Sequence, residues 1–255
     1  MRRNELSDFS NIHKTGKIAM KLSEGDGIVG VQLCTVNDDV LLTTRAGKCI
    51  RFAVTDIRVF KGRESTGVRG IKLVSSDEVV SLALLGHGDA SVAEARAYLR
   101  QSSAARRAAQ GESGAEDLPV DDLADDGEEN GEEAALSPDR YAQLGAREQF
   151  VLAVSEQGFG KRTSSYEYRT MGRGAQGIVA MAMRGRNAAI VGAFAVEDSD
   201  HLMLITNQGK TIRVPVSGIS VQRRSAQGVV LFRLEDGERV VSVERIAESS
   251  GEGEE

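Results

Sequence analysis

The chain has 255 residues, with 32 Lys+Arg against 38 Asp+Glu and a net charge of −6. Taken whole, that balance argues against a nucleic-acid binder, which normally carries a basic excess, and against a basic membrane-surface protein. No stretch approaches 18 apolar residues, so no membrane span is expected, and the first ten residues lack the apolar core of a signal peptide.

Three Pro, no Trp and only 7 Phe and 4 Tyr mean that any core must be aliphatic. Cys34 and Cys49 suggest no disulfide framework; both read as ordinary apolar strand residues of a reducing compartment.

A repeat organises the chain. Gly16 and Gly67 lie 51 residues apart, as do Gly177 and Gly228, with 110 between the pairs. Leu22, Leu73, Met183 and Leu234 step by 51, 110 and 51, and Gly47, Gly158 and Gly209 step by 111 and 51. Three series in one register divide the chain into a partial unit at 2–33, full units at 34–85, 148–197 and 198–246, an insertion at 86–147 and an acidic tail at 247–255.

Each full unit opens with an apolar run, a Gly-containing turn and a second run bearing a basic residue, which is a hairpin signal. A polar loop then ends in the repeated glycine, ahead of a short strand: KIAMKL, VRGIKL, IVAMAM and VVLFRL in the four units. A last apolar run closes each unit. Four short strands per unit of about 50 residues predict an all-β, propeller-like pinwheel of packed blades. Missing Trp excludes Trp-Asp repeats, and the Gly-Gly pattern of kelch repeats is not found.

The insertion has two parts. Residues 91–110, Ala- and Arg-rich, read as a helix; 111–139 are densely acidic and nearly devoid of large apolar residues, which reads as a disordered segment. It reads first as a solvated loop without function; the alternative is that its acidic run competes with polyanions for basic surface, in which case deletion of 111–138 tightens such binding.

Charge separates along these boundaries. Residues 87–147 hold 14 acids and six arginines, and 247–255 hold four acids, leaving the repeat units at +6 from 26 bases and 20 acids. The bases share the repeat. Arg51, Arg162 and Arg213 step by 111 and 51, Arg3 fits the same slot, and Arg63, Arg173 and Arg224 step by 110 and 51. Equivalent positions in stacked blades predict a periodic basic rim suited to a wrapped polyanion; a charged, aggregation-resistant strand edge is the alternative.

The stretches TGKIAMKLSEGDGIVGV, STGVRGIKLVSSDEVVSL, GFGKRTSSYEYRTMGRGAQGIV and ITNQGKTIRVPVSGISVQRRSAQGVVL resemble the repeats of the C-terminal DNA-wrapping domain of DNA gyrase A. The acidic tail is similar too; the insertion is not part of the shared pattern. The nearest match to that family's Q-R-R-G-G-K-G box is QRRSAQG at 222–228, in the last unit, so the first blade reads as missing and the chain as a fragment or as starting internally.

The resemblance implies double-stranded DNA as partner, contacted by Arg3, Lys14, Lys48, Arg51, Lys61, Arg63, Arg69, Lys161, Arg162, Arg173, Lys210, Arg213, Arg223 and Arg224. It further implies the rest of the gyrase A polypeptide and the gyrase B polypeptide as partners in a cytoplasmic, nucleoid-associated bacterial heterotetramer. No cofactor belongs to this chain; ATP and Mg are implied by family only, elsewhere in the holoenzyme. The related C-terminal domain of topoisomerase IV and a protein-binding propeller are the competing readings.

No catalytic constellation is found. Tyr98, Tyr141, Tyr166 and Tyr168 lack the context of a phosphate-attacking tyrosine, the last two reading as blade packing. The GRESTG run at 62–67 is not a phosphate loop, and His13, His87 and His201 lack metal-ligand spacing.

Overall fold

The computed structural model describes residues 1–12, 14–62, 64–74, 76–110, 136–185 and 187–247. The acidic run at 111–135, the tail beyond 247 and the candidate Arg63 lie outside them.

Three antiparallel sheets follow the three full units. The first holds β1 (Asp38–Thr44), β2 (Lys48–Ala53) and β3 (Val79–Gly86). The second holds β4 (Phe150–Ser155), β5 (Phe159–Ser164) and β7 (Ile190–Val196), and the third β8 (His201–Thr206), β9 (Thr211–Pro215) and β11 (Val240–Ile246). The hairpin turns repeat in detail. The amides of Gly47, Gly158 and Gly209 donate to the carbonyls of Thr44, Ser155 and Thr206 at 3.1, 3.0 and 3.0 Å.

In the first two sheets a fourth strand comes from the next unit. β6 (Ile178–Val179) pairs with β2, and β10 (Val229–Val230) pairs with β5. The same exchange is begun by the first unit, where Val68 and Met1 trade backbone bonds of 2.8 and 2.9 Å. Parallel bridges Arg3–Val59, Arg51–Thr170 and Arg162–Val221 keep the register from unit to unit.

This crossing explains the repeated glycines. Gly177 has φ +73°, and a Cβ there would stand 2.2 Å from the Cys49 carbonyl oxygen; at Gly228 the clash is with Gly160, at 2.7 Å. A side chain at either place would push the crossing strand off its host.

β3 packs on β7 and β7 on β11, so the closing strand of each unit lies at the centre and the exchanged strand lies outermost. Three apolar clusters form the core: one around Leu42, Ile50 and Phe52 that packs with Met1, one between the first and second sheets around Leu41, Cys49, Met181 and Ile190, and one between the second and third around Leu152, Leu202 and Leu204. Each fully buried aliphatic side chain contributes about 1.5–3 kcal/mol. No blade could bury both faces alone. In the first unit, residues 14–36 form no strand among the described residues, and Ile18, Val31 and Leu33 are exposed.

Cys49 lies buried in β2, but Cys34 is exposed outside any strand, which corrects the sequence reading of both as strand residues.

The insertion carries α1 (Val92–Gln110), as expected, and a second helix, α2 (Pro138–Arg147), that the acidic composition around it concealed. Its start was signalled all the same: Ser137 caps the Arg140 amide at 3.2 Å, and Pro138 opens the helix. The rings of Tyr98 and Tyr141 lie 5.1 Å apart, as do those of Tyr98 and Tyr166, both pairs tilted. Tyr166 therefore packs on the insertion, not within a blade, while Tyr168 is buried in the core between sheets.

Candidate nucleic-acid interface

The arginine register has a structural meaning that the sequence did not reveal. Arg51, only 7% exposed, points Nε at Asp39 at 2.8 Å. Its Nη1 donates to the carbonyls of Ser165 and Tyr168 in the next unit at 2.9 and 3.2 Å, and its Nη2 to Gly86 at 2.9 Å. Arg162, 8% exposed, repeats the arrangement one unit on: Nε donates to Ile219 at 2.7 Å, and Nη1 pairs with Asp198. These guanidiniums join neighbouring blades by filling carbonyls that would otherwise be buried unpaired.

The second series behaves likewise. Arg224, 4% exposed, donates to the Val179 carbonyl, and half-buried Arg173 donates to the equivalent Arg69 carbonyl at 2.6 Å. Lys161 is fully buried, its Nζ on the carbonyls of Arg223, at 2.6 Å, and Arg224. Arg51, Lys161, Arg162 and Arg224 are thus withdrawn as direct phosphate ligands, because their charged heads are spent on backbone carbonyls inside the molecule.

The remaining candidates divide. Lys14, Lys48, Lys61, Arg69 and Arg213 are exposed. Lys210 is exposed but paired with Glu235 at 2.7 Å and Glu238 at 3.2 Å. Arg3 and Arg223 are half-buried, and Arg3 keeps a buried Nε without a hydrogen-bond partner.

A further exposed series went unread. Lys21, Lys72 and Arg233 precede Leu22, Leu73 and Leu234 and hold one repeat position in three of the four units, Ala182 holding it in the other. The backbone repeats at this position in the first three units, where the amides of Lys21, Lys72 and Ala182 donate to the carbonyls of Ser65, Ala175 and Ala226. No ion pair is formed by Lys21, Lys72 or Arg233 among the described residues. The leucine series of the sequence was the available signal, read for its apolar member alone. Arg233 follows the outermost strand β10 by three residues, and Arg69 and Lys72 follow Val68, which pairs with Met1, so these exposed cations lie toward the outer edge.

Elsewhere the chemistry is sparse. No group of three or more His, Cys, Asp or Glu fit to hold a metal occurs among the described residues, and none of their helices is long and apolar enough to cross a membrane. Burial pushes the Cys49 thiol up to about 12, so it is a packing residue.

Stacked blades with exchanged outer strands and a cationic outer edge define a propeller-type repeat module. Residues 1–35, 38–85, 149–197 and 200–247 match the model of the DNA gyrase C-terminal domain, beta-propeller, and the chain belongs to that family. It is 48% identical over 252 residues to the DNA gyrase A protein of Granulibacter bethesdensis, covering 98% of this chain and 27% of that protein. With the DNA gyrase A protein of Salmonella typhimurium it shares 33% identity over 248 residues, covering 97% and 21%. The chain therefore spans about a quarter of the length of these curated relatives.

Among solved structures it is similar to a DNA gyrase A C-terminal domain, with TM-score 0.63, 20% identity and coverage of 94% of this chain and 60% of that one. The C-terminal domain of DNA topoisomerase IV follows at TM-score 0.61 and 18% identity, covering 89% and 52%. These two likenesses concern the fold.

Proposed function

We propose that this chain is the DNA-binding and DNA-wrapping module of a gyrase A protein, non-catalytic by itself. It bends duplex DNA along its outer edge in support of ATP-dependent negative supercoiling by the complete type II topoisomerase. The observation that carries the reading is the exposed series Lys21, Lys72 and Arg233, at one repeat position of three of the four units, together with exposed Lys61 and Arg69. Cations at that place in three of the four units, with Ala182 in the other, meet phosphates at intervals along a curved path. Phosphate contacts carry no base information directly, so binding is sequence-tolerant. Bending costs about 1–6 kcal/mol over a short site, which the added phosphate contacts offset.

The remaining domains of gyrase A and its companion gyrase B are the partners in this reading, and ATP with its Mg is handled there. The assembly works in the bacterial cytoplasm on nucleoid DNA. A topoisomerase IV role is less favoured because the curated relatives cited are gyrase proteins.

Binding to linear duplex across a salt series tests the proposal. With about six phosphates engaged, log K falls against log[salt] with a slope near −5. Charge reversal at Lys21, Lys72 and Arg233 flattens it. A salt-independent wild-type chain, or reversal without effect, would refute DNA binding at this edge and favour a protein-binding propeller.

A further inference from the structure

One place in the repeat breaks its own rule. Opposite Leu42, Ala153 and Leu204 in the three hairpins stand Ile50, Lys161 and Ile212. Two are aliphatic and serve the core. The third is a lysine with no exposed surface, set across from the smallest of the three partners. An ammonium in that position costs far more than an isoleucine unless it is fully hydrogen-bonded, so its presence calls for a use.

Its bonds show what it holds. Lys161 Nζ donates to the carbonyls of Arg223 and Arg224, consecutive residues of the loop 222–228. From another side, Glu167 accepts the Arg224 amide at 2.6 Å. Burial raises the Glu167 carboxyl, and Arg224 and Lys161 act against that rise. Arg224 meanwhile ties the loop to Val179 on the outermost strand of the first sheet. The hairpin position equivalent to Lys161 in the first full unit is Ile50, which carries no charge. The loop 222–228 is thus pinned at both carbonyl and amide, and two buried cations against one carboxyl leave a positive field beneath it.

We propose that Lys161 and Glu167 are positioning residues that clamp the loop 222–228, making it the rigid anchoring point of the duplex on this chain, with Arg223 as its phosphate contact. The inference rests on the DNA-binding reading above. A rigid loop loses little conformational freedom when it meets a phosphate, which is how pre-organisation becomes affinity.

The test compares the wild-type chain, Arg223→Ala, the pair Lys161→Ile with Glu167→Gln, and all three changes together, each on a linear duplex of about 30 base pairs across a salt series. The paired variant puts the repeat's own aliphatic residue at 161 and leaves the Arg223 and Arg224 carbonyls without that donor, so it is expected to melt below the wild-type temperature while still folding. Its salt slope should fall by about one, as for Arg223→Ala, with no further fall in the combined variant. The Arg224 amide should exchange about tenfold faster.

A folded paired variant that binds as wild type, effects that add to those of Arg223→Ala, or an unchanged Arg224 exchange rate overturns the clamp while leaving the DNA reading standing. A wild-type chain without a salt-dependent slope overturns both. If the paired variant does not fold, Lys161→Gln, which keeps an N–H donor without the charge, takes its place under the same criteria.

Discussion

Replacing Arg51 by alanine separates its two possible roles. In the structure its guanidinium faces Asp39, itself without exposed surface, and three carbonyls in two units. Truncation leaves the Asp39 carboxylate with only the His87 imidazole at 2.8 Å, and leaves Ser165, Tyr168 and Gly86 short of a donor. Breaking a buried, hydrogen-bonded pair in this way costs about 3–5 kcal/mol. Arg213 occupies the same slot in the last unit but is exposed, so Arg213→Ala costs at most about 0.5 kcal/mol.

Urea unfolding makes the comparison: with an m of about 3 kcal/mol/M, Arg51→Ala moves the midpoint down by roughly 1–1.7 M and Arg213→Ala barely at all. In DNA binding, a folded Arg51→Ala chain keeps its salt slope, while Arg213→Ala lowers it by about one. A loss below about 1 kcal/mol in Arg51→Ala, or an equal cost at the two arginines, would refute a structural role for the Arg51 guanidinium.

Thiol labelling at pH 8 should modify one cysteine per native chain, Cys34, and two in denaturant, since Cys49 is buried with its thiol held near 12. Two fast-reacting thiols in the native chain would contradict the packing at the strand crossing. The helix pair should loosen in acid. Arg140 hydrogen-bonds Glu94 and lowers its carboxyl from 4.5 to about 2, so the pair's stabilisation is complete above pH 4.5 and is lost as pH falls through 2. Tyrosine fluorescence from the Tyr98–Tyr141–Tyr166 cluster reports it, and Glu94→Gln should abolish this acid-sensitive step. Gly177→Ala should destabilise by more than the about 1–2 kcal/mol of left-handed strain alone, because its Cβ also meets the Cys49 carbonyl; Gly16→Ala, with open space around it, should cost no more than that strain. Matched thermal melts decide between them.

The blades were legible because a period survives in glycines and leucines that backbone geometry and packing both demand. The exchange of outer strands was not: a two-residue strand such as Val229–Val230 carries no pairing information of its own, and its partner lies in another unit. The arginine register was real but misassigned. A period says that residues occupy equivalent places; it does not say which side of the sheet they face. Arg51 sits between Ile50 and Phe52, in a run buried on both faces, and that context marks it as internal. Lys21, Lys72 and Arg233, all exposed, were hidden by their apolar neighbours.

The outer strands are attached by very little backbone. β6 holds β2, and β10 holds β5, through two residue pairs each, whereas the inner hairpins are laddered over five or more. Tension applied at the edge by a stiff, bent duplex therefore falls on short seams, and each seam belongs to two units at once. Strain introduced at one blade is handed to its neighbour before the inner strands feel it. Such a body is stiff near its centre and compliant at its circumference, so the curvature it imposes on a duplex and the curvature it accepts in return are adjusted in the same few hydrogen bonds.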